Sequence, residues 1–115
     1  MDYITITRLE HRLNITAGET RLGETQAALE LKEGRYPPVL YVPRADVDMS
    51  LLVKTAHQTT CPHKGLCSYY SVKTPQGLLE NAVWSYEAPI PGMERIASHL
   101  AFYPDKVTLS DASWR

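Results

Sequence analysis

The stretch Ser68-Tyr69-Tyr70-Ser71-Val72-Lys73-Thr74-Pro75-Gln76-Gly77-Leu78-Leu79-Glu80-Asn81-Ala82-Val83-Trp84-Ser85-Tyr86-Glu87 decides how this chain folds. Two runs rich in aromatic and β-branched residues flank Pro75-Gln76-Gly77, a connection of the length and composition that β-hairpins use. Because strand side chains alternate between faces, Tyr70 and Val72 share one face of the first run, and Ala82, Trp84 and Tyr86 share one face of the second. If those faces coincide, Tyr70 and Trp84 belong to one aromatic surface.

Towards the N-terminus, residues 54–66 show little periodicity. They contain His57, Thr60, Cys61, Pro62, His63, Lys64 and Gly65 and read as an ordered loop, where functional chemistry most naturally sits. Before it, Tyr36-Pro37-Pro38 forces extended backbone, and Val39-Leu40-Tyr41-Val42 reads as a short strand closed by Pro43. Asp46 is then expected to cap a short helical segment over 47–52. In the first third, Leu9, Leu13, Ile15 and Ala17 fall on one parity, Ile4 and Ile6 do the same, and Gly18 supplies a hairpin turn. Residues 26–33 fit helix or strand. Towards the C-terminus, Met93, Ile96, Ala97, Leu100 and Ala101 recur at helical spacing and predict an amphipathic helix over 92–103. A last strand is expected over 106–109, followed by a loose tail over 111–115. The reading is a mainly β fold, α+β at its margin, of compact antiparallel sheets forming a single domain over 1–115.

Composition narrows the function. The chain has 115 residues, 43% hydrophobic and 22% charged, which is an ordinary globular balance able to bury a core without disulfide staples. A net charge of -1 removes the electrostatic warrant for nucleic-acid binding. No apolar run approaches the roughly 20 residues of a membrane-spanning helix. The start, Met1-Asp2-Tyr3-Ile4-Thr5, lacks the basic and apolar regions of a signal peptide, so a cytoplasmic location is expected.

Four constellations could carry chemistry. His57, Cys61, His63 and Cys67 offer four metal-ligand side chains, but structural zinc knuckles set two Cys two to four residues apart, and these two are separated by five. No metal or other cofactor is therefore expected. Cys61 could act as a nucleophile, with His57, His63 and Lys64 close in sequence to favour its thiolate. Asp46 and Asp48 could share a divalent cation, although the spacing is generic and no phosphate-gripping turn precedes them. The strongest candidate is an aromatic pocket. Eight of the ten aromatic residues fall between Tyr36 and Tyr103, and Tyr41, Tyr70, Trp84 and Tyr86 present apolar faces with polar edges. Together with Arg44, Thr60, Lys64 and Gly65 they could hold a planar or anionic small molecule.

Read in order, Tyr36-Pro37-Pro38, Tyr41-Val42-Pro43-Arg44-Ala45-Asp46-Val47, Thr60-Cys61-Pro62-His63-Lys64-Gly65, Tyr69-Tyr70, Ala82, Trp84-Ser85-Tyr86, Pro89 and Phe102-Tyr103-Pro104 form a series. It resembles the family known as domain of unknown function 427, which carries a nucleotidyltransferase-like label. The resemblance runs from about Gly18 to Leu109. It implies a compact antiparallel β domain, β-tent-like in architecture, with a shared surface around Tyr41, Asp46, Thr60, Cys61, Lys64, Gly65, Tyr70, Trp84 and Tyr86. β-tent relatives bind zinc through paired CxxC knuckles, which this chain lacks, and the Gly-Ser and three-carboxylate set of a nucleotidyltransferase is missing too. Cys67 stands where the family pattern would place a small residue.

The expectation that follows is a domain that binds a small molecule in an aromatic-lined pocket beside residues 60–65, with Lys64 as the anion-contacting group. A small enzyme using Cys61, His57 or Asp46 is one alternative, and a protein-interaction module or homo-oligomer is the other.

Overall fold

A computed structural model describes residues 3–111. Ten strands follow one another: β1 (Ile4–Arg8), β2 (Leu13–Ala17), β3 (Thr20–Thr25), β4 (Leu29–Glu33), β5 (Val39–Tyr41), β6 (Leu52–Cys61), β7 (Gly65–Thr74), β8 (Gly77–Ser85), β9 (Ala101–Phe102) and β10 (Thr108–Asp111). They form three antiparallel sheets, ordered β1-β4-β5, β10-β2-β3 and β6-β7-β8-β9. The fold is mainly β, as the alternating sequence requires.

The four-stranded sheet is the centre, and each of its faces is covered by one of the other sheets. On one face Tyr70, Val72, Val83 and Phe102 pack with Ile15, Ala17 and Leu22 of β2 and β3. On the opposite face Cys67, Tyr69 and Tyr86 pack with Leu29, Leu31 and Tyr41 of β4 and β5. Tyr69 pairs with Trp84 and Tyr70 with Val83, so the ladder itself assigns the aromatics to faces. Tyr70 and Trp84 therefore lie on opposite sides of the sheet. The single aromatic surface expected from parity fails because the register sets Tyr69, rather than Tyr70, across from Trp84.

The two hairpins expected from the sequence keep their turn chemistry. Gly18, at φ +60°, turns β2 into β3, and Gly77, at φ +118°, opens β8 after Pro75 and Gln76. Residues 26–33, open between two readings, resolve as β4, whose outer side pairs with β1.

Three expectations are corrected. The first is the helix over 92–103. Only a 3-10 turn forms there, Glu94–Ile96, because Ser98 adopts φ +58° and breaks the helical path. Leu100 is then drawn into a bridge with Val42, and Ala101 and Phe102 into the β8 ladder. An isolated helix of this length is marginal, so the ladder bonds win. The second is the loop over 54–66, most of which belongs to the long strands β6 and β7. β6 runs along the sheet edge with mostly exposed side chains, so it needs no apolar alternation and gave no periodic signal. The third is the helical segment at 47–52. Two 3-10 turns replace it, Arg44–Asp46 and Met49–Leu51, and the cap is Asp48, which accepts from the Ser50 N–H, rather than Asp46. Of the expected tail, Asp111 pairs with Leu13 in the β10–β2 ladder, and residues 112–115 lie outside the described residues.

Candidate functional site

The aromatic and polar residues singled out by sequence fall into two clusters on opposite faces of the central sheet. The first surrounds Lys64. The tight turn between β6 and β7 is closed by the Lys64 N–H donating to the Cys61 carbonyl at 3.1 Å, and it turns the side chain inward. Gly65 follows at φ +118°, and an added Cβ there would lie 3.3 Å from the Ile90 nitrogen. The Ile90 N–H donates to the Lys64 carbonyl at 3.0 Å and docks the turn onto residues 89–90. The Lys64 ammonium donates to Glu33 Oε1 at 2.8 Å and stands 5.9 Å from the Tyr86 ring centroid. Burial works against its charge, but the Glu33 hydrogen bond and the Cys61 thiol outweigh that and raise its pKa. The group expected to hold an anion is thus already paired with a carboxylate of β4.

Behind it the phenols are poorly solvated. Tyr41 is pushed up to about 12 by burial, although the hydrogen bond from Trp84 opposes the rise. Burial pushes Tyr86 well above its ordinary value and raises the Cys67 thiol as well. Cys67 is inside the core, Cys61 is half-buried, and both are free thiols. Thr60 is exposed on the β6 edge, opposite Leu66.

The second cluster gathers around Arg44. Its Nε donates to the Ser98 carbonyl at 3.1 Å, one terminal nitrogen to the Tyr70 hydroxyl at 3.2 Å, and the other to Glu87 at 3.2 Å. Tyr70 also donates to Glu87, and Lys54 donates to the other Glu87 oxygen at 2.7 Å. Burial would raise the Glu87 pKa, but the bonds from Lys54 and Tyr70 outweigh it and hold the carboxyl below its usual range. Arg44 and Tyr70 do meet, as expected, but away from Lys64, Trp84 and Tyr86.

The remaining candidates are dispersed. His57 lies against the Tyr69 ring, with centroids 4.5 Å apart, beside a hollow it shares with Thr55, Ser71 and Glu80. Asp46 accepts from the Thr25 hydroxyl at 2.8 Å, while Asp48 accepts from Ser50, so the two carboxylates serve separate local bonds. Among the described residues no group of three or more His, Cys, Asp or Glu side chains could hold a metal ion. Among the same residues, no helix is long and apolar enough to cross a membrane.

An aromatic cleft is present, but on the far side of Trp84. It has a volume of about 500 Å³ and is walled by Tyr36, Pro37, Pro38, Val39 and Leu40 on one side and by Phe102, Pro104, Val107 and Leu109 on the other. The indole of Trp84 lines it, meets the Tyr103 ring at a tilt of 52° with centroids 4.6 Å apart, and donates from Nε1 to the Tyr41 hydroxyl at 3.4 Å. Of the residues expected to bind a ligand, Trp84 alone is in this wall. Apart from it, sequence reasoning missed the cleft. A signal was available in Pro37, Pro38 and Pro104, since proline beside a strand cannot donate to a ladder and marks where a sheet must part.

A small antiparallel β domain with a central four-stranded sheet and a proline-walled aromatic cleft is the class these features define. The family model described as Domain of unknown function (DUF427), which also bears the label NTP_transf_9, matches residues 5–112, and the chain belongs to that family. A comparison with curated proteins finds no match.

Proposed function

We propose that this domain binds a small planar molecule in the cleft beside Trp84. The observation that carries the reading is the cleft itself: about 500 Å³, lined mainly by aromatic, proline and aliphatic side chains, with an indole in its wall. Pockets of this size and lining are the usual setting for small ligands, and a flat ring gains most from an indole face. The anionic option is set aside because Lys64 is bonded to Glu33 and, among the described residues, no charged side chain lines the cleft. An ion placed there would lose its hydration without a partner. The partner in this reading is a small molecule, with neither nucleic acid nor membrane involved. The setting in this reading is a reducing compartment, the cytoplasm, where both cysteines stay thiols. The same proposal takes the two outer sheets leaning on the central one as a β-tent arrangement, with the Lys64–Glu33 pair joining two of them.

Thermal denaturation with quinoline, an uncharged bicyclic probe, tests the proposal. A ligand that binds only the folded state raises the midpoint with concentration. The rise is expected in the native chain and is expected to vanish in Leu109→Lys, which puts a charge on the cleft rim. An equal rise in both proteins would place binding elsewhere.

One observation favours a second reading, thiol chemistry at Cys61. This half-buried free thiol ends β6, three residues before Lys64, whose N–H donates to its carbonyl. That reading requires Cys61→Ser to abolish an activity that Trp84→Leu leaves intact.

A further inference from the structure

We infer that the hollow beside His57 is a second binding site, shaped for one neutral, hydroxyl-rich ring, a single sugar in its chemistry, with Asn81 as the principal donor. It shares no lining residue with the cleft of Trp84, so the inference stands apart from the reading above.

The central sheet makes this hollow by leaving regular pairing at one level of β7. Lys54 pairs with Tyr70 and Gln58 with Ser68, so three residues of β6, Thr55, Ala56 and His57, stand opposite Tyr69 alone. On the other side Tyr70 pairs with Val83 and Val72 with Leu79, so three residues of β8, Glu80, Asn81 and Ala82, stand opposite Ser71 alone. Bulges of this kind bend a strand, re-aim its side chains and gather beside functional sites. Asn81 takes φ +50°, a left-handed conformation that asparagine tolerates better than most residues. The outcome is a contact that a regular sheet does not make. Strands two places apart are about 10 Å from each other, yet Thr55 of β6 and Asn81 of β8 meet across β7 with their side-chain oxygens 2.7 Å apart.

The hydrogen bonds at this point leave donors to spare. Thr55 Oγ1 accepts from the His57 N–H at 3.2 Å and gives its own proton to Asn81 Oδ1. With that oxygen held, Asn81 turns its amide nitrogen and two N–H donors away from Thr55. The Asn81 backbone N–H donates to Ser71 Oγ at 3.1 Å, which leaves the Ser71 hydroxyl proton to give. Beside these donors Glu80 brings a carboxylate acceptor, and Leu78, 57% exposed, brings an apolar patch. The space is about 260 Å³, enough for one small ring.

This mixture selects the ligand. A hydroxyl both donates and accepts, so neighbouring hydroxyls of one ring answer Asn81, Ser71 and Glu80 together while its C–H face covers Leu78. An anion would meet the Glu80 carboxylate, and among the described residues no lysine or arginine lines the hollow to offset it. An ammonium accepts no hydrogen bond and would leave the amide and hydroxyl donors unanswered. A purely apolar ring would strip water from these groups without replacing it.

The test is an amide-resolved NMR titration of the full chain with the methyl glycosides of glucose, galactose and mannose, with cyclohexanol and inorganic phosphate as controls. At least one glycoside is expected to give saturable shifts in the Asn81 side-chain amide and the Ser71 and Glu80 backbone signals, with the Trp84 indole unmoved. Cyclohexanol and phosphate are expected to leave those signals still. Asn81→Asp keeps the oxygen that Thr55 needs and the tolerance for positive φ but loses the N–H donors, and Glu80→Ala removes an acceptor on an exposed residue. Each is expected to weaken binding roughly tenfold, about the worth of one hydrogen bond. No saturable shift with any glycoside, shifts centred on Trp84, or native affinity in either folded variant overturns the site. Cyclohexanol or phosphate moving Asn81 and Ser71 as strongly as the glycosides overturns the ligand class.

Discussion

A buried ammonium needs a counter-charge, and Glu33 supplies it to Lys64 across 2.8 Å, with the two side chains only 10% and 14% exposed. Removing one partner of such a pair strands the other, so Glu33→Gln is expected to cost about 3 kcal/mol in urea denaturation. The double replacement Glu33→Leu with Lys64→Met is expected to recover much of that loss, because well-packed apolar groups escape the desolvation penalty. The pH dependence has a definite sign. The Lys64 pKa is raised in the folded state, so its contribution is complete below the unfolded lysine value and is lost as pH rises through the folded one. Glu87 behaves oppositely: its pKa is lowered, so its contribution is present above the unfolded glutamate value and fades as pH falls through the folded one. Glu87→Gln should therefore flatten the acid limb of the stability profile. The cysteines differ by access. Native protein should react with a thiol reagent at half-buried Cys61, and Cys67 should react only after unfolding.

Between elements, Gly23 of β3 lies hard against the turn before Val47. It bridges Val47, and an added Cβ would fall 2.1 Å from the Asp46 carbonyl oxygen. Backbone on both sides cannot yield cheaply, so Gly23→Ala is expected to cost about 3 kcal/mol, at the upper end of overpacking effects. Gly18 makes the contrast: nothing lies within 4 Å of its added Cβ, and only the φ of +60° is at stake. Gly18→Asn, which tolerates that conformation, should be nearly neutral in the same denaturation assay. Elements were legible in the sequence where a hydrophobic face alternated, as in β2, or where turn residues separated two strands, as between β7 and β8. They were illegible where tertiary bonds override local pattern. The helical spacing of Met93, Ile96 and Leu100 is genuine, yet Leu100 is spent on a bridge to Val42, and Ser98 turns the chain out of the helix. Edge strand β6 exposes most of its side chains, so no apolar period could betray it.

For the whole molecule, the arrangement turns on one sheet with two covered faces. Parity predicts which residues of a strand share a face, but the register between strands is set by long-range pairing, and that pairing separates Tyr70 from Trp84. The candidate residues are accordingly divided in space, with Lys64 and Tyr86 on one side and Arg44 and Tyr70 on the other. The cleft gathers residues of β5, β8, β9 and β10 from all three sheets, a relation that a list of motifs does not contain. In the proposed site Trp84 faces the ligand. The most direct measurement follows the indole N–H signal of Trp84 and the backbone amides during a quinoline titration. The account predicts a saturable shift at Trp84, Leu40 and Phe102 with the amides of residues 60–65 unmoved. Saturable shifts at residues 60–65 with Trp84 still, or no saturable shift at all, would contradict it.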